Sequence, residues 1–366
     1  MEETAMIGWN ITTLIGVYIF ICLSLILYHI AYAVFDWPMS KKQRFDTDNY
    51  ARQMYFQLMQ LYLGGEIDEL HAAMMQRNLK KNQYLIAFHD ACIRFKKEPL
   101  LNTYLYKMIP MFKELSIEYL KHNEMEQAYF CWVIADLYED INKETLRLAK
   151  MLLPYLDGST IYCRENTLSA LYRLGDIMGI EAAFSIISEQ REFHHGKLIS
   201  DGLLKFQGNH EELARRLWQH YDDWKPEMMA AIIDYIRYVS PNFGDEFYPV
   251  LKDSSSNLEV RLAILRYYRK YVHLGAYPVI LECAKGTYEI ECCIVACTTL
   301  DIYQSLETKT VLKKALSSSN WYVRKNAAAS LLKMANQIDI EEILQGNDPY
   351  AKDMLFYTMQ EKDGGI

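Results

Sequence analysis

From Thr160 onward, apolar residues recur at three- and four-residue spacing in blocks that can be written one beneath another. The blocks are TIYCRENTLSALYRLG from Thr160, FHHGKLISDGLLKFQG from Phe193, KPEMMAAIIDYIRYVS from Lys225, NLEVRLAILRYYRKYV from Asn257, TYEIECCIVACTTLDI from Thr287, NWYVRKNAAASLLKMA from Asn320 and DPYAKDMLFYTMQEKD from Asp348. Their starts lie 28 to 33 residues apart. Self-similarity at such a period marks stacked two-helix units, each of which buries its apolar face only against its neighbours. One mostly apolar column runs through Cys163, Gly196, Met228, Val260, Ile290, Val323 and Ala351. A second runs through Thr167, Ser200, Ile232, Ile264, Ile294, Ala327 and Leu355, and a third through Leu171, Leu204, Ile236, Tyr268, Thr298, Leu331 and Met359. Residues four apart share a helix face, so these columns predict the buried face of the second helix in each unit. Shorter periodic stretches predict the first helices: Ile180–Gln190, His210–Tyr221, Asp245–Leu251, Ala276–Ala284, Thr308–Leu316 and Ile338–Leu344.

Before Thr160 the same spacing predicts helices over Asp46–Leu63, Glu66–Leu79, Gln83–Phe95, Leu100–Leu120, Glu124–Tyr138 and Glu144–Leu153. No stretch alternates with period two for long enough to predict a strand. The expected fold class is all-α: one N-terminal transmembrane helix followed by an α-solenoid of about nine helical pairs. The expected divisions are 1–40 for the anchor with its flanks, 41–158 for divergent helical hairpins, 159–360 for the regular repeats and 361–366 for a polar tail.

The anchor is read from Leu14–Phe35, 22 residues with no acidic or basic charge apart from titratable His29. That length of apolar helix crosses a bilayer. Trp9 and Trp37 flank it at the places where amphipathic aromatics meet headgroups. A cleaved signal peptide would start with basic residues and carry a shorter apolar run, whereas the first charges here are Glu2 and Glu3. Lys41, Lys42, Arg44 and Arg52 follow the span and no Lys or Arg precedes it, so the positive-inside rule puts the N-terminus outside and the C-terminal bulk in the cytoplasm of a plasma or inner membrane. The sequon at Asn10 then lies too close to the bilayer for glycosylation.

Composition narrows the chemistry. Hydrophobic residues make up 51% of the 366 and there are only 9 Pro, which fits a folded helical chain. A formal net charge of −8 disfavours a nucleic-acid surface, which needs clustered positive charge. The eight cysteines are scattered over helices and suit a reducing compartment.

No constellation of catalytic groups emerges, and the expectation is a non-enzymatic chain without a cofactor. His210-Glu211-Glu212-Leu213-Ala214 starts like a zincin helix but lacks the second His. Cys283, Cys292, Cys293 and Cys297 could offer soft metal ligands, yet free Cys packs most often as a small apolar group, and core packing is the expectation. His194-His195 is expected at an exposed start of a second helix.

Val260-Arg261, Val323-Arg324 and the alanine-rich run after Arg324 resemble HEAT repeats, particularly the short bacterial type first named from phycobilisome lyases. The resemblance covers roughly Thr160 to Gln360. It implies that an Arg at this register joins a polar ladder between neighbouring repeats. Arg164, Arg261 and Arg324 keep it, Lys197 and Lys352 stand near it, and Met229 and Glu291 depart. The same column could instead form a basic stripe that meets an acidic partner. A membrane-anchored arrangement of this kind resembles bacterial HEAT proteins found alongside polysaccharide glycosyltransferases. The function so implied is a membrane-tethered, protein-binding scaffold or regulatory subunit, with an integral membrane glycosyltransferase as the partner class. A tethered sensor of a small acidic ligand and a lyase-like enzyme are the alternatives.

Overall fold

The computed structural model describes residues 11–138, 142–157, 160–189 and 194–363, and among them every regular element is a helix. The chain divides into two compact units, Met1–Glu126 and Gln127–Ile366. Trp9 and Asn10 lie outside the described residues, as do the side chain of Trp37 and the tail beyond residue 363.

The first unit is built on α1, a 52-residue helix over Ile11–Tyr62. The sequence pattern separates an apolar span from a helix starting at Asp46, but α1 runs through both, and residue 40 lies within it. The intervening stretch Asp36–Phe45 holds no Gly, and although it holds Pro38 the helix runs through it unbroken. Within α1, Thr13–Tyr32 has a mean hydropathy of 2.3 and none of it is buried by other parts of the protein. The stretch is long and apolar enough to cross a bilayer. Further along, Thr47, Tyr50, Met54, Gln57 and Leu58 are buried at three- and four-residue spacing against α3 (Asn82–Arg94) and α4 (Leu100–Tyr119). Phe88 and Tyr84 meet the Tyr50 ring edge-on, and burial pushes the Tyr50 hydroxyl up to about 12. Gly64 ends α1 at φ 81°, a left-handed position that lets the Gly65 amide donate back to the Gln60 carbonyl at 2.9 Å.

Helix α2 (Glu69–Asn78) carries His71, buried with its Nε2 2.8 Å from the Tyr104 hydroxyl. Burial holds His71 below the usual histidine value, and the Asp68 carboxylate opposes this less strongly. A depressed folded value means that the unfolded chain takes the proton first. The contribution is therefore complete above about pH 6.5 and is lost as pH falls through the folded value. Thermal melts followed by circular dichroism are expected to show a first transition that moves down between pH 7.5 and 5.5. His71→Asn is expected to flatten that dependence, and an unchanged slope in the variant would rule His71 out as its source.

The second unit holds α5 (Glu124–Leu137), α6 (Lys143–Lys150), α7 (Ile161–Arg173), α8 (Ile177–Glu189), α9 (Gly196–Leu203), α10 (His210–Gln219), α11 (Pro226–Val239), α12 (Gly244–Lys252), α13 (Leu258–Lys270), α14 (Tyr277–Ala284), α15 (Ile290–Thr299), α16 (Leu306–Ala315), α17 (Trp321–Leu331), α18 (Gln337–Gln345) and α19 (Pro349–Asp363), with short 3-10 turns between some of them. Consecutive helices pack in pairs from α10–α11 to α18–α19. The second helices α7, α9, α11, α13, α15, α17 and α19 each pack on the next in that series.

Side-chain caps set where these helices begin. Thr160 accepts from the Cys163 amide, Asn257 from Glu259, Asn320 from Tyr322 and Val323, and Asp348 from Tyr350 and Ala351. Such caps satisfy amides that have no partner inside the helix. The caps also correct the alignment of the blocks. Helix α9 is capped by His195 and α15 starts after Glu289, so both begin two residues later than the aligned starts at Phe193, which lies outside the described residues, and Thr287. In the corrected register, the seventh and eleventh residues after the cap are Gly202 and Phe206 in one block and Ala296 and Leu300 in the other, all buried. Of the residues that the sequence alignment placed in those columns, Ser200 is buried, whereas Ile294, Thr298 and Leu204 are half-buried or exposed.

Candidate functional site

Counting from the cap sorts each second helix into faces, because successive residues turn by about 100°. Positions 3, 7 and 11 face the core. Positions 4, 8 and 12 face the following pair, positions 6, 10 and 13 the preceding one, and positions 2 and 9 the open side.

At position 4 the structure places Arg164, Ile199, Met229, Arg261, Cys293, Arg324 and Lys352. The five basic residues of the aligned column therefore separate: Lys197 is at position 2 of α9, exposed, while Arg164 and Arg261 are 4% and 0% exposed. Arg261 donates from Nη1 to the Glu289 carboxylate at 2.8 Å and lies 4.6 Å over the Tyr288 ring, both at the start of the following second helix. Arg324 donates to the carbonyls of Ser318 and Ser319 at 2.7 and 3.0 Å and stacks 5.3 Å over Tyr350. Lys352 is half-buried on α19. Arg261 and half-buried Arg324 are positioned by these partners to join pairs, and burial closes Arg164 and Arg261 to an incoming ligand.

Further polar links join the pairs. Asn166 donates to the Ala128 carbonyl and Asn326 to the Ile294 carbonyl, each at 2.9 Å, from position 6. At position 13, Arg173 donates to the Ala135 carbonyl and Lys270 to the Arg237 carbonyl, both at 3.0 Å. Asp301, with a side chain 4% exposed, is held from both sides by Arg269 at 3.0 Å and Lys333 at 2.5 Å. The recurrence of Asn six residues after a capping residue was visible in the aligned blocks; the bridging role of Asp301 needed the geometry.

The remaining candidates also find places. His194 is buried with Nε2 2.8 Å from Glu165, and His195 accepts the Lys197 amide as the cap of α9, so only one of the pair is exposed. His210 opens α10 with Nδ1 2.9 Å from the Tyr235 hydroxyl, and burial holds it below the usual histidine value. Cys283, Cys292, Cys293 and Cys297 are buried, and burial pushes Cys283 up to about 12 and Cys292 up to about 11. Cys283 and Cys292, held protonated in this way, are poor ligands and nucleophiles, whereas a hydrogen bond with Cys297 lowers Cys293. Among the described residues, no group of three His, Cys, Asp or Glu is placed to hold a metal ion. Lys41, Lys42 and Arg44 are exposed on α1 just beyond its apolar stretch.

The open side of α9, α11 and α13 forms the site that Lys197 does belong to. It is a groove of about 480 Å³, floored by Gly196, Ser200, Ala230 and Ala231. The α9 and α11 backbones approach closely here, since a Cβ on Gly196 would lie 3.4 Å from the Ala231 Cβ. Small floor residues leave the space, and charged residues at positions 2, 9 and 12 supply the walls. One end carries Lys197, Glu227 and Glu259; the other carries Asp234, Arg237, Arg266 and Tyr238. Asp234 pairs with Arg237 at 3.1 Å, yet burial raises its carboxyl above the usual value against the pull of Arg237 and Arg266. Tyr238 is 56% exposed, with Arg237 5.0 Å and Lys270 5.4 Å from its ring centre. Among the described residues, the side chains of Lys197 and Arg266 have no ion-pair partner. The groove thus offers free cations, carboxylates and an exposed aromatic over a small-residue floor, and its size suits a short segment or a small ligand. No family model matches the chain, and no curated protein matches it.

Proposed function

We propose that this chain is a membrane-tethered adaptor that holds a stacked-pair, HEAT-like α-solenoid at the cytoplasmic face of a membrane and binds a segment of a partner protein. The observation that carries the reading is α1, whose uncovered apolar stretch continues as one helix into the packed body of the first unit. Such a helix gives the body a membrane address, and Lys41, Lys42 and Arg44 beside the stretch favour the cytoplasmic side. Tethering makes a weak contact effectively intramolecular for any partner in the same membrane. The groove on α9, α11 and α13 supplies the surface, with a partner segment that sets a basic side chain over Glu227 and Glu259 and an acidic one against Arg237 and Arg266. A polysaccharide glycosyltransferase is the partner class that the HEAT resemblance implies. The free charge on Lys197 and Arg266 favours, as a second reading, a small acidic ligand in the same groove.

Full-length tagged chain is to be purified from mildly solubilised membranes, with its companions identified by mass spectrometry, beside Ala230→Arg, which fills the groove floor from a half-buried position. An integral membrane protein retained by the wild type and lost from the variant, with unchanged circular dichroism, is the expected result. Equal retention by both chains would remove the groove from the reading. A chain that comes out alone would remove the stable adaptor.

A further inference from the structure

The face of α19 that points away from α17 is built like an interior face of the stack. Position 8 after the cap looks toward the following pair, and in six second helices it is occupied by Leu168, Leu203, Ile233, Leu265, Cys297 and Ala328, each no more than 1% exposed. The same position on α19 is Phe356, which is 51% exposed. An exposed apolar side chain at a position that is otherwise buried attracts a covering surface. Position 4 tells the same story. Arg261 and Arg324 reach from it to a carboxylate or a tyrosine of the following pair, whereas Lys352, at that position on α19, has no side-chain partner among the described residues.

We propose that this face is covered by the same face of a second copy, with α19 packed parallel to its mate around a two-fold axis that passes between the two Phe356 rings. The choice of occupant rests on charge. Lys352 and Asp353 lie at neighbouring positions on either side of the line through Phe356, at 100° per residue. In a parallel pair at equal height, the residue flanking one side meets the residue flanking the other, so Lys352 of each copy faces Asp353 of its mate. Two ion pairs then form around a ring contact. An antiparallel pair would set Lys352 level with Gln360 and would form neither. Asp353 is exposed and, like Lys352, has no side-chain partner among the described residues.

One aromatic contact and two exposed ion pairs are a small interface by the standard of stable dimers. The proposal therefore rests on the tether: two chains anchored in one membrane meet at a high effective concentration.

Cysteine crosslinking in native membranes tests it. Phe356→Cys is placed in a Cys22→Ser background, the other seven native cysteines being buried, and oxidised with copper phenanthroline. Asp201→Cys, in the groove, serves as the off-axis control. The expected result is a disulfide dimer from position 356 and little from position 201. Lys352→Glu should lower the dimer yield by about fivefold or more, and the double swap Lys352→Glu with Asp353→Lys should restore it. No dimer at position 356, from a chain that stays in the carbonate-washed membrane pellet, would overturn the two-fold contact and leave the tether standing. A chain found in the carbonate supernatant would overturn the tether, and the contact with it. A dimer that ignores the Lys352→Glu charge reversal would overturn the parallel register.

Discussion

Glu289→Ala is expected to destabilise the second unit by about 3 kcal/mol, more than Arg261→Met at the other end of the same ion pair, which should stay within about 1.5 kcal/mol. The inequality comes from burial. Arg261 is 0% exposed, whereas the Glu289 side chain is 44% exposed. Removing the carboxylate takes the hydrogen-bonded counter-charge from a buried guanidinium, whose remaining neighbours are the Tyr288 ring, nearby thiols and the more distant charge of Asp253. Removing the guanidinium leaves a carboxylate that water can reach. Methionine also keeps most of the volume, so little cavity follows. The figure of about 3 kcal/mol is the low end for breaking a buried pair, in keeping with a partner that is half in water. Urea denaturation of the full-length chain in detergent, read by circular dichroism, measures both variants. If Arg261→Met proved the costlier change, packing around the side chain rather than its charge would set the strength of this joint.

Gly202→Ala is expected to cost about 1–3 kcal/mol, while Gly196→Ala, six residues earlier on the same helix, should fall within about 0.5 kcal/mol. A Cβ on Gly202 would meet Cε2 of Tyr172 at 2.6 Å, and that ring is buried where α7 and α9 pack. Neither the ring nor the helix can give way without moving the joint. A Cβ on Gly196 meets its nearest atoms at 3.4 Å, an ordinary contact. The two substitutions also separate the two registers of this block. The aligned sequence puts Gly196 in a core column and leaves Gly202 outside, and the cap at His195 reverses them. Denaturation midpoints of the two variants under one set of conditions decide the matter. A costly Gly196→Ala beside a neutral Gly202→Ala would restore the aligned register.

Much of the architecture was legible because helix periodicity is local. The four-residue spacing of Cys163, Thr167 and Leu171, or of Val323, Ala327 and Leu331, states which face is apolar before any neighbour is known. Caps such as Thr160, Asn257 and Asn320 mark helix starts by a hydrogen bond to a residue two or three positions on. The apolar stretch of α1 is equally local, since length and hydropathy are sums over neighbours in the chain. Sequence alone therefore determined the all-helical class, the apolar N-terminal stretch and the second-helix faces of the blocks from Thr160, Lys225, Asn257 and Asn320.

What only the tertiary structure decided depends on distances between residues about thirty positions apart. Loop lengths before α9 and α15 differ by two residues from the aligned pattern, and only the packed caps reveal it. The sequence reading cast Arg164, Lys197, Arg261, Arg324 and Lys352 as a ladder or a stripe. Packing placed Arg164 and Arg261 inside the joints and Lys197 on an open groove. The groove itself has no motif, because its floor of Gly196, Ser200, Ala230 and Ala231 is drawn from two helices and its walls from three. Small residues look like ordinary helix formers until two backbones are seen to approach across them. A charge is read from one residue, but whether it is paired, buried or free is a property of its neighbours in space.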